Sequence, residues 1–266
     1  MKVGFIGCGN MGGALIKAAA KSIPAKDILI YDPCEEKAKA FESSLGVVSC
    51  KEETLLLEAN YIFLGVKPQV LESAVGEIKD TLKARKDRFV IVSMVAGTGI
   101  SKIVSLFGWD IPVIRIMPNT PVSAGEGMIL YDLSENVTGE ETEGFLKILS
   151  GGGRLDRLPE NLIDAASCVS GCGPAFVDLF IEALADGGVK CGLPRDKALL
   201  YAAQTLIGAS KLMLETNKHP AVLKDEVCSP GGTTIVGVQA LEEHGLRAGV
   251  ISAVWEAYRK TKELGK

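Results

Sequence analysis

Two stretches of this chain combine residue types and spacing that could hold small anionic molecules. The first is Val227-Cys228-Ser229-Pro230-Gly231-Gly232-Thr233-Thr234. Downstream, Ile235, Val238, Ala240 and Leu241 recur at helical spacing up to His244-Gly245, so Ser-Pro-Gly-Gly opens a helix with side chains that barely obstruct the backbone. Unpaired N–H groups at such a start, with the positive end of the helix dipole, favour a small anion such as a carboxylate. Thr233 and Thr234 add hydroxyl donors on the first turn. An ordinary N-cap followed by a tight turn is the competing reading. The second stretch is Gly7-Cys8-Gly9-Asn10-Met11-Gly12, a G-x-G-x-x-G run. Apolar Val3 to Ile6 precede it, and Ala14, Leu15, Ala18 and Ala19 follow at helical spacing. In that strand–turn–helix context the glycines read as a dinucleotide-binding turn. Asp32 closes the next apolar run, Ile28-Leu29-Ile30-Tyr31. It stands about 20 residues after Gly12, where such a fold places its ribose-binding carboxylate. Asp32 could instead cap the helix that follows Pro33.

The elements that must carry these residues alternate. Gly46-Val47-Val48 is a short strand, and Tyr61 to Val66 a stronger one ending at Lys67-Pro68, where a helix begins. Phe89 to Val95 is the most β-like run, ending in Ala96-Gly97, and Val113 to Ile116 leads into Met117-Pro118-Asn119-Thr120-Pro121. Strands alternating with helical patterns predict a doubly wound, Rossmann-like parallel sheet with helices on both faces. Ligands then sit beyond the C-terminal strand ends: Gly7–Gly12, Asp32, Val66–Pro68, Ala96-Gly97 and Asn119. Gly127 to Tyr131 and Arg154 to Leu158 read as two further edge strands of undetermined direction.

From Pro159 helical periodicity takes over. The predicted division is a dinucleotide-binding domain over 1–158 and an all-α substrate-binding and dimerisation domain over 159–266. Pro174 to Val189 and Asp196 to Leu214 are apolar on most of their faces. Such helices must be buried nearly all round, and about a hundred residues offer little interior for two of them. Burial against a second copy of the chain is the economical answer, so a homodimer is expected.

The net charge of -4 and the absence of a basic run argue against nucleic acid as a partner. No segment reads as long and uniformly apolar enough to span a membrane. The start runs straight into a strand, leaving no room for a signal peptide. Seven cysteines at scattered spacing, with no CxxC pair, fit neither a disulfide framework nor a zinc or other metal site. They are expected to be reduced and mostly buried in a cytoplasmic protein.

A dinucleotide implies a hydride donor or acceptor, and the second half must present its partner. Hydroxy-acid dehydrogenases usually need a general base, most often His or Lys. The two histidines, His219 before Pro220 and His244 before Gly245, fall at element ends, where solvated surface residues are common. An imine nitrogen is basic enough to be protonated near neutral pH, so its reduction needs positioning more than a strong acid. A carboxylate pocket with hydroxyl donors fits imine reduction better than alcohol oxidation.

Several segments resemble pyrroline-5-carboxylate reductase. They are Ser170-Gly171-Cys172-Gly173-Pro174-Ala175-Phe176, Ala183 to Lys190, Gly192-Leu193-Pro194, His219-Pro220, Leu223-Lys224-Asp225 and Val227 through Thr234. In the first half Val66-Lys67-Pro68, Val95-Ala96-Gly97 and Pro118-Asn119-Thr120-Pro121 look like the family's cofactor-side segments. The resemblance covers the whole chain. It implies reduction of Δ1-pyrroline-5-carboxylate to proline with NADH or NADPH, the last step of proline synthesis. It implies a substrate site at Val227, Ser229, Gly231, Gly232, Thr233, Thr234 and Glu160, with Thr234 near the ring nitrogen as the catalytic residue. Ile6 through Gly12, Asp32, Val66, Lys67, Pro68, Val95, Ala96, Gly97 and Asn119 fall on the cofactor side. An interlocked dimer, assembled in many members into a larger ring such as a decamer, is implied as well. Cys172 and Phe176 stand where serine and tyrosine are frequent, and changed packing is expected there. Asp32 is the departure with consequences, because NADPH-favouring members carry a small hydroxyl, amide or arginine side chain at that place. Here Asp32, Glu35 and Glu36 crowd it, while the heads of Lys37 and Lys39 are expected to point to solvent. NADH is therefore the expected cofactor.

Two other readings share the layout. A β-hydroxy-acid dehydrogenase would need a catalytic lysine in a glycine- and asparagine-rich helix, and the candidates Lys190 and Lys211 lack that setting. A non-catalytic redox sensor would have no use for the Thr234 constellation.

Overall fold

Each apolar run of the first half pairs into one eight-stranded sheet in the computed structural model, which describes residues 1–264. The strands are β1 (Val3–Ile6), β2 (Ile28–Tyr31), β3 (Val48–Ser49), β4 (Tyr61–Leu64), β5 (Val90–Ser93), β6 (Val113–Pro118), β7 (Gly127–Leu133) and β8 (Gly153–Arg157). Between them run α1 (Asn10–Ser22), α2 (Glu35–Leu45), α3 (Glu52–Glu58), α4 (Leu71–Lys83), α5 (Ile100–Phe107) and α6 (Gly139–Leu149). The order is β3-β2-β1-β4-β5-β6-β7-β8. The strands from β3 to β6 are parallel, β7 runs antiparallel to β6, and β8 is parallel to β7. That settles the two directions left open by the sequence.

The strands are apolar on both faces because both are covered. Val3 and Phe5 of β1 and Phe63 of β4 pack with Leu15 and Ile16 of α1 and Phe145 of α6, and the Phe5 and Phe63 rings stack at 4.4 Å. On the other face Ile62 and Leu64 meet Leu55 of α3, Ile78 and Leu82 of α4, and Ile103 of α5.

The remaining helices are α7 (Glu160–Ser170), α8 (Gly173–Lys190), α9 (Arg195–Thr216), α10 (Pro220–Val227), α11 (Thr233–Glu243) and α12 (Leu246–Leu264). Two compact units result. One holds Met1–Gly171 and the residues from Tyr258 onward; the other is Cys172–Ala257. The compact units divide after α7, because α7 packs on β6 and β7. The last turns of α12 return to the first unit, where Lys262 pairs with Asp164 at 3.2 Å and Thr261 meets the Cys168 thiol at 3.8 Å.

Within the helical unit the buried hydrophobic residues are Ala185, Ala198 and Ala202. Leu179, Leu200, Ile207, Val236 and Ile251 stand exposed. The expectation that one chain cannot cover its own apolar helices holds in the structure.

Two expectations need correction. The run Glu160–Lys190 is long and apolar enough, by length and composition, to cross a membrane. The fold breaks it at Gly171-Cys172 into α7 and α8 and draws Asp164 into an ion pair with a buried arginine. The cysteines are not mostly buried either. Only Cys8 and Cys168 are, while Cys34 and Cys191 are exposed, because they fall on α2's start and α8's end rather than on core faces.

Candidate active site

The glycine turn is built by steric demands at three positions. Gly7 has φ +100°, and a Cβ there would lie 2.5 Å from the Gly65 carbonyl oxygen. A Cβ on Gly12 would overlap the carbonyl of Gly7, so any side chain would push α1 off β1. Gly9 differs: nothing lies within 4 Å of its missing Cβ. Gly9 is also the N-cap of α1 and offers no side-chain cap, which leaves the first N–H groups of the helix bare beside open space. Tight turn, open approach and close helix–strand packing are what a dinucleotide pyrophosphate requires of these three glycines. The residues therefore fit the cofactor that the motif implied. A cavity of about 530 Å³ lies against this turn, lined by Gly9, Asn10, Gly13, Lys17, Lys37 and Thr120 among others.

These demands separate two substitutions. Gly12→Ala should lower the midpoint of chemical denaturation, at a cost of roughly 1–3 kcal/mol for overpacking against backbone. Gly9→Ala should leave that midpoint unchanged yet weaken dinucleotide binding on the order of tenfold. Equal loss of stability in both would mean that Gly9 is not where a ligand passes.

Asp32 links two loops. Its Oδ2 accepts from the backbone N–H of Cys8 at 2.7 Å and its Oδ1 from that of Cys34 at 2.9 Å. The carboxylate thus clamps the glycine turn to the end of β2 instead of capping α2, whose N-cap is Cys34. Cys8 turns its side chain inward towards the Tyr31 carbonyl. Burial, with the nearby Asp32 charge, pushes its thiol up to about 12, so it stays protonated and is no nucleophile.

Ile6, Met11 and Val95 support the site from below. Ile6 and Val95 are buried and Met11 packs against the core. Val66, Lys67 and Pro68 follow β4, with Lys67 and Pro68 exposed, and Ala96 and Gly97 form an exposed turn after β5, with Gly97 at φ +69°. Asn119 follows β6, but its side chain is committed to the protein. Its Oδ1 accepts from Met128 N–H, and its Nδ2 donates to the carbonyl of Ser170, both at 2.8 Å. Both ends of that amide are thus bonded within the first unit.

On the helical unit, Val227 ends α10, Ser229 starts the turn, and Gly231 carries φ +70°. Gly232 is the N-cap of α11 without a side-chain cap, and Thr233 and Thr234 open the helix exposed to solvent. This is the bare helix start with two hydroxyls that the sequence implied. Glu160 does not belong to this unit. Its Oε1 accepts from the N–H of Ile100 at 2.6 Å and pairs with Arg115 at 3.3 Å. Its carboxylate is thereby engaged at the start of α5.

Sequence reasoning missed Arg115, which is 5 % exposed, and missed the cavity that Lys37 lines. A charged residue inside Val113-Ile114-Arg115-Ile116, an otherwise core-like strand, was the available signal for the first. Lys37 is exposed and lines the cavity over the glycine turn, while Lys39, paired with Glu35, lines a second cavity beside Asp32.

Comparison with known proteins decides the family. The chain is 40 % identical to the pyrroline-5-carboxylate reductase of Escherichia coli (strain K12), over 100 % of this chain and 98 % of that one. The chain belongs to the pyrroline-5-carboxylate reductase family. Residues 160–264 match the family model for pyrroline-5-carboxylate reductase dimerisation, and residues 2–97 that for NADP oxidoreductase, coenzyme F420-dependent. Two solved reductases share the fold over the full chain. The Plasmodium falciparum enzyme, solved with NADP bound, is 32 % identical with a TM-score of 0.88, covering 100 % of this chain and 98 % of that one. The Coxiella burnetii enzyme is 30 % identical with a TM-score of 0.90 and the same coverage. Membership in this reductase family brings an NAD(P)H oxidoreductase with a Rossmann-like first part and an oligomer-forming helical part.

Proposed function

We propose that this chain reduces Δ1-pyrroline-5-carboxylate to L-proline, with its dinucleotide on the glycine turn of the first unit and the cyclic imino acid on the start of α11. The bare N-terminus of α11 carries the reading: Gly232 without a side-chain cap, followed by exposed Thr233 and Thr234, suits one carboxylate and one ring nitrogen. Thr234 donates to the ring nitrogen, or relays a proton towards it, while the helix N–H groups hold the carboxylate. A reduced nicotinamide supplies the hydride that the imine carbon accepts, and the nitrogen keeps its proton in the product. The exposed apolar faces of α8 and α9 support a homodimer, and the family resemblance extends this to a higher ring. The unbridged cysteines support a cytoplasmic setting.

The test is loss of absorbance of the reduced nicotinamide with the cyclic imine, set against runs with a 3-hydroxy acid and with no substrate. Oxidation of the 3-hydroxy acid with inert imine would overturn the assignment; Lys190 and Lys211, the lysines such a dehydrogenase would need, are both exposed.

NADH is the proposed preferred cofactor. Asp32 is held at the end of β2 by two N–H groups and still presents a negative charge where a 2′-phosphate would lie. That repulsion is on the order of 1–4 kcal/mol at contact distance in a partly solvated site. Lys37 lines the cavity over the glycine turn and Lys39 and Lys51 line the one beside Asp32; together they offset part of it, so NADPH is used less well rather than refused. Asp32→Ser should shift the ratio of kcat/KM values about tenfold towards NADPH. The ratio is the proper measure, because losing the clamp on Cys8 lowers both values. An unaltered enzyme faster with NADPH than with NADH would refute the preference and leave the reductase reading standing.

A further inference from the structure

Arg115 stands on β6 with 5 % of its surface exposed, facing α7. Its Nη1 pairs with Glu160 at 3.3 Å and its Nη2 with Asp164 at 2.9 Å. Its Nε–H has no hydrogen-bond partner among the described residues, so two carboxylates carry the cost of burying the whole guanidinium. Burial pushes the Asp164 carboxyl up, but hydrogen bonds from Arg115 and Lys262 outweigh it and hold it below the usual range. A buried ion pair of this kind is a poor way to add stability, since apolar residues of similar volume do as well or better. Where one is present, a defined geometry is the thing to look for.

The geometry here ends on the cofactor turn. Glu160 Oε1 accepts from the N–H of Ile100, the first residue of α5, at 2.6 Å. The N-cap of α5, Gly99, provides no side-chain cap of its own, so Glu160 does this from another helix. A Cβ at Gly99 would sit 3.3 Å from that same oxygen, so a glycine lets the carboxylate approach this closely. Gly99 closes the turn after β5, whose exposed residues Ala96 and Gly97 were assigned to the dinucleotide. On its strand side the turn is held weakly, by Val95 N–H donating to Ser93 Oγ and Thr98 N–H donating to the Val95 carbonyl, both at 3.4 Å. On its helix side the tether is Glu160, and Glu160 is placed by Arg115. Asp132 adds to this by accepting from the Glu160 N–H at 2.8 Å, which fixes the start of α7.

We propose that Arg115 and Glu160 are positioning residues for the dinucleotide. The pair locks the start of α5 and thereby sets the turn 95–99 against the cofactor, while neither side chain touches the imino acid. This rests on the reading of Val95, Ala96 and Gly97 as cofactor contacts, and it replaces Glu160 as a substrate ligand.

The experiment measures the NADH dissociation constant by nicotinamide fluorescence and the KM for the cyclic imine in the unaltered chain, Glu160→Ala and Glu160→Gln. Glu160→Ala removes the acceptor for Ile100 N–H, and the NADH constant should rise about tenfold or more. The imine KM should stay within about threefold at saturating NADH, since no imine contact is lost. Glu160→Gln keeps an oxygen for both Ile100 and Arg115 and should bring the NADH constant back to within about threefold of the parent. Arg115→Met should match Glu160→Ala in NADH binding, and the double variant should be no weaker than either, as expected for residues acting as one unit. If Arg115→Met is insoluble, the two Glu160 variants decide alone. A lowered melting temperature with unchanged NADH binding well below it would mean that the pair is only structural. A raised imine KM with unchanged NADH binding would return Glu160 to the substrate site. Because NADH binding is read directly, a chain that binds NADH but leaves the imine untouched counts against the reductase reading and not against this one.

Discussion

Replacing Thr234 by alanine should lower kcat by roughly ten- to a hundredfold and leave the fold intact. The side chain is exposed at the start of α11, and no hydrogen bond engages its hydroxyl among the described residues, so its loss removes no internal contact. On the proposed reading, what disappears is one positioned donor at the ring nitrogen. The loss should fall near the low end of what a transition-state donor supplies, because the imine nitrogen is already basic enough to be protonated. The KM should change less than kcat, since the carboxylate still sits on the N–H groups of the same helix. Thr234→Ser keeps the hydroxyl and should retain much of the rate. Steady-state kinetics at saturating cofactor, with circular dichroism as the fold control, checks all three. An alanine variant within twofold of the parent would remove Thr234 from the chemistry.

Placing a carboxylate on the apolar face of the helical unit should abolish assembly and activity together. Leu200 is 57 % exposed, so aspartate there meets water in the isolated chain and harms little, while Phe180, 37 % exposed, is the more covered of the two and needs a fold control. Leu206 is half-buried and would confuse assembly with folding. If a partner covers these faces, each lost side chain forfeits about 1.5–3 kcal/mol of burial, and the inserted charge adds a desolvation cost. With Ala185, Ala198 and Ala202 as its buried apolar residues, the unit has little to fall back on. Light scattering should show the unaltered chain as an oligomer and Leu200→Asp or Phe180→Asp as an inactive smaller species. A fully active monomer from the unaltered chain would end this account.

Much of the site was legible because its demands are local. Gly7, Gly9 and Gly12 announce themselves by spacing, and the structure gives each the steric reason that the pattern implies. The start of α11 was readable for the same cause, since bare helix termini are written in a few consecutive residues. What escaped was long-range. Asp32 stands where the pattern placed it, yet its bonds run to Cys8 as well as to its own turn, and no local rule supplies that partner. Asn119 stands at the strand end where the pattern placed it, yet its amide bonds to Ser170 and Met128, one of them far along the chain. Arg115 precedes Glu160 and Asp164, one turn apart on α7, by dozens of residues, and meets them only because α7 lies on β6. The reversal at β7 escaped because periodicity gives a strand's faces and not its direction.

The return of α12 to the first unit has a consequence for how such chains can be cut and recombined. The helical unit is an insertion with two junctions, near 171/172 and 257/258, and not a module appended at one. Exchanging it for a relative's counterpart requires two crossovers. A single crossover at 158/159 instead separates Asp164 and Lys262, which then come from one parent, from Arg115, which comes from the other. A stop codon placed after Ala257 leaves the helical unit complete in residues and strips Lys262 from Asp164 in the other unit. Thr261 and Lys262, near the end of α12, therefore belong by their contacts to the first unit.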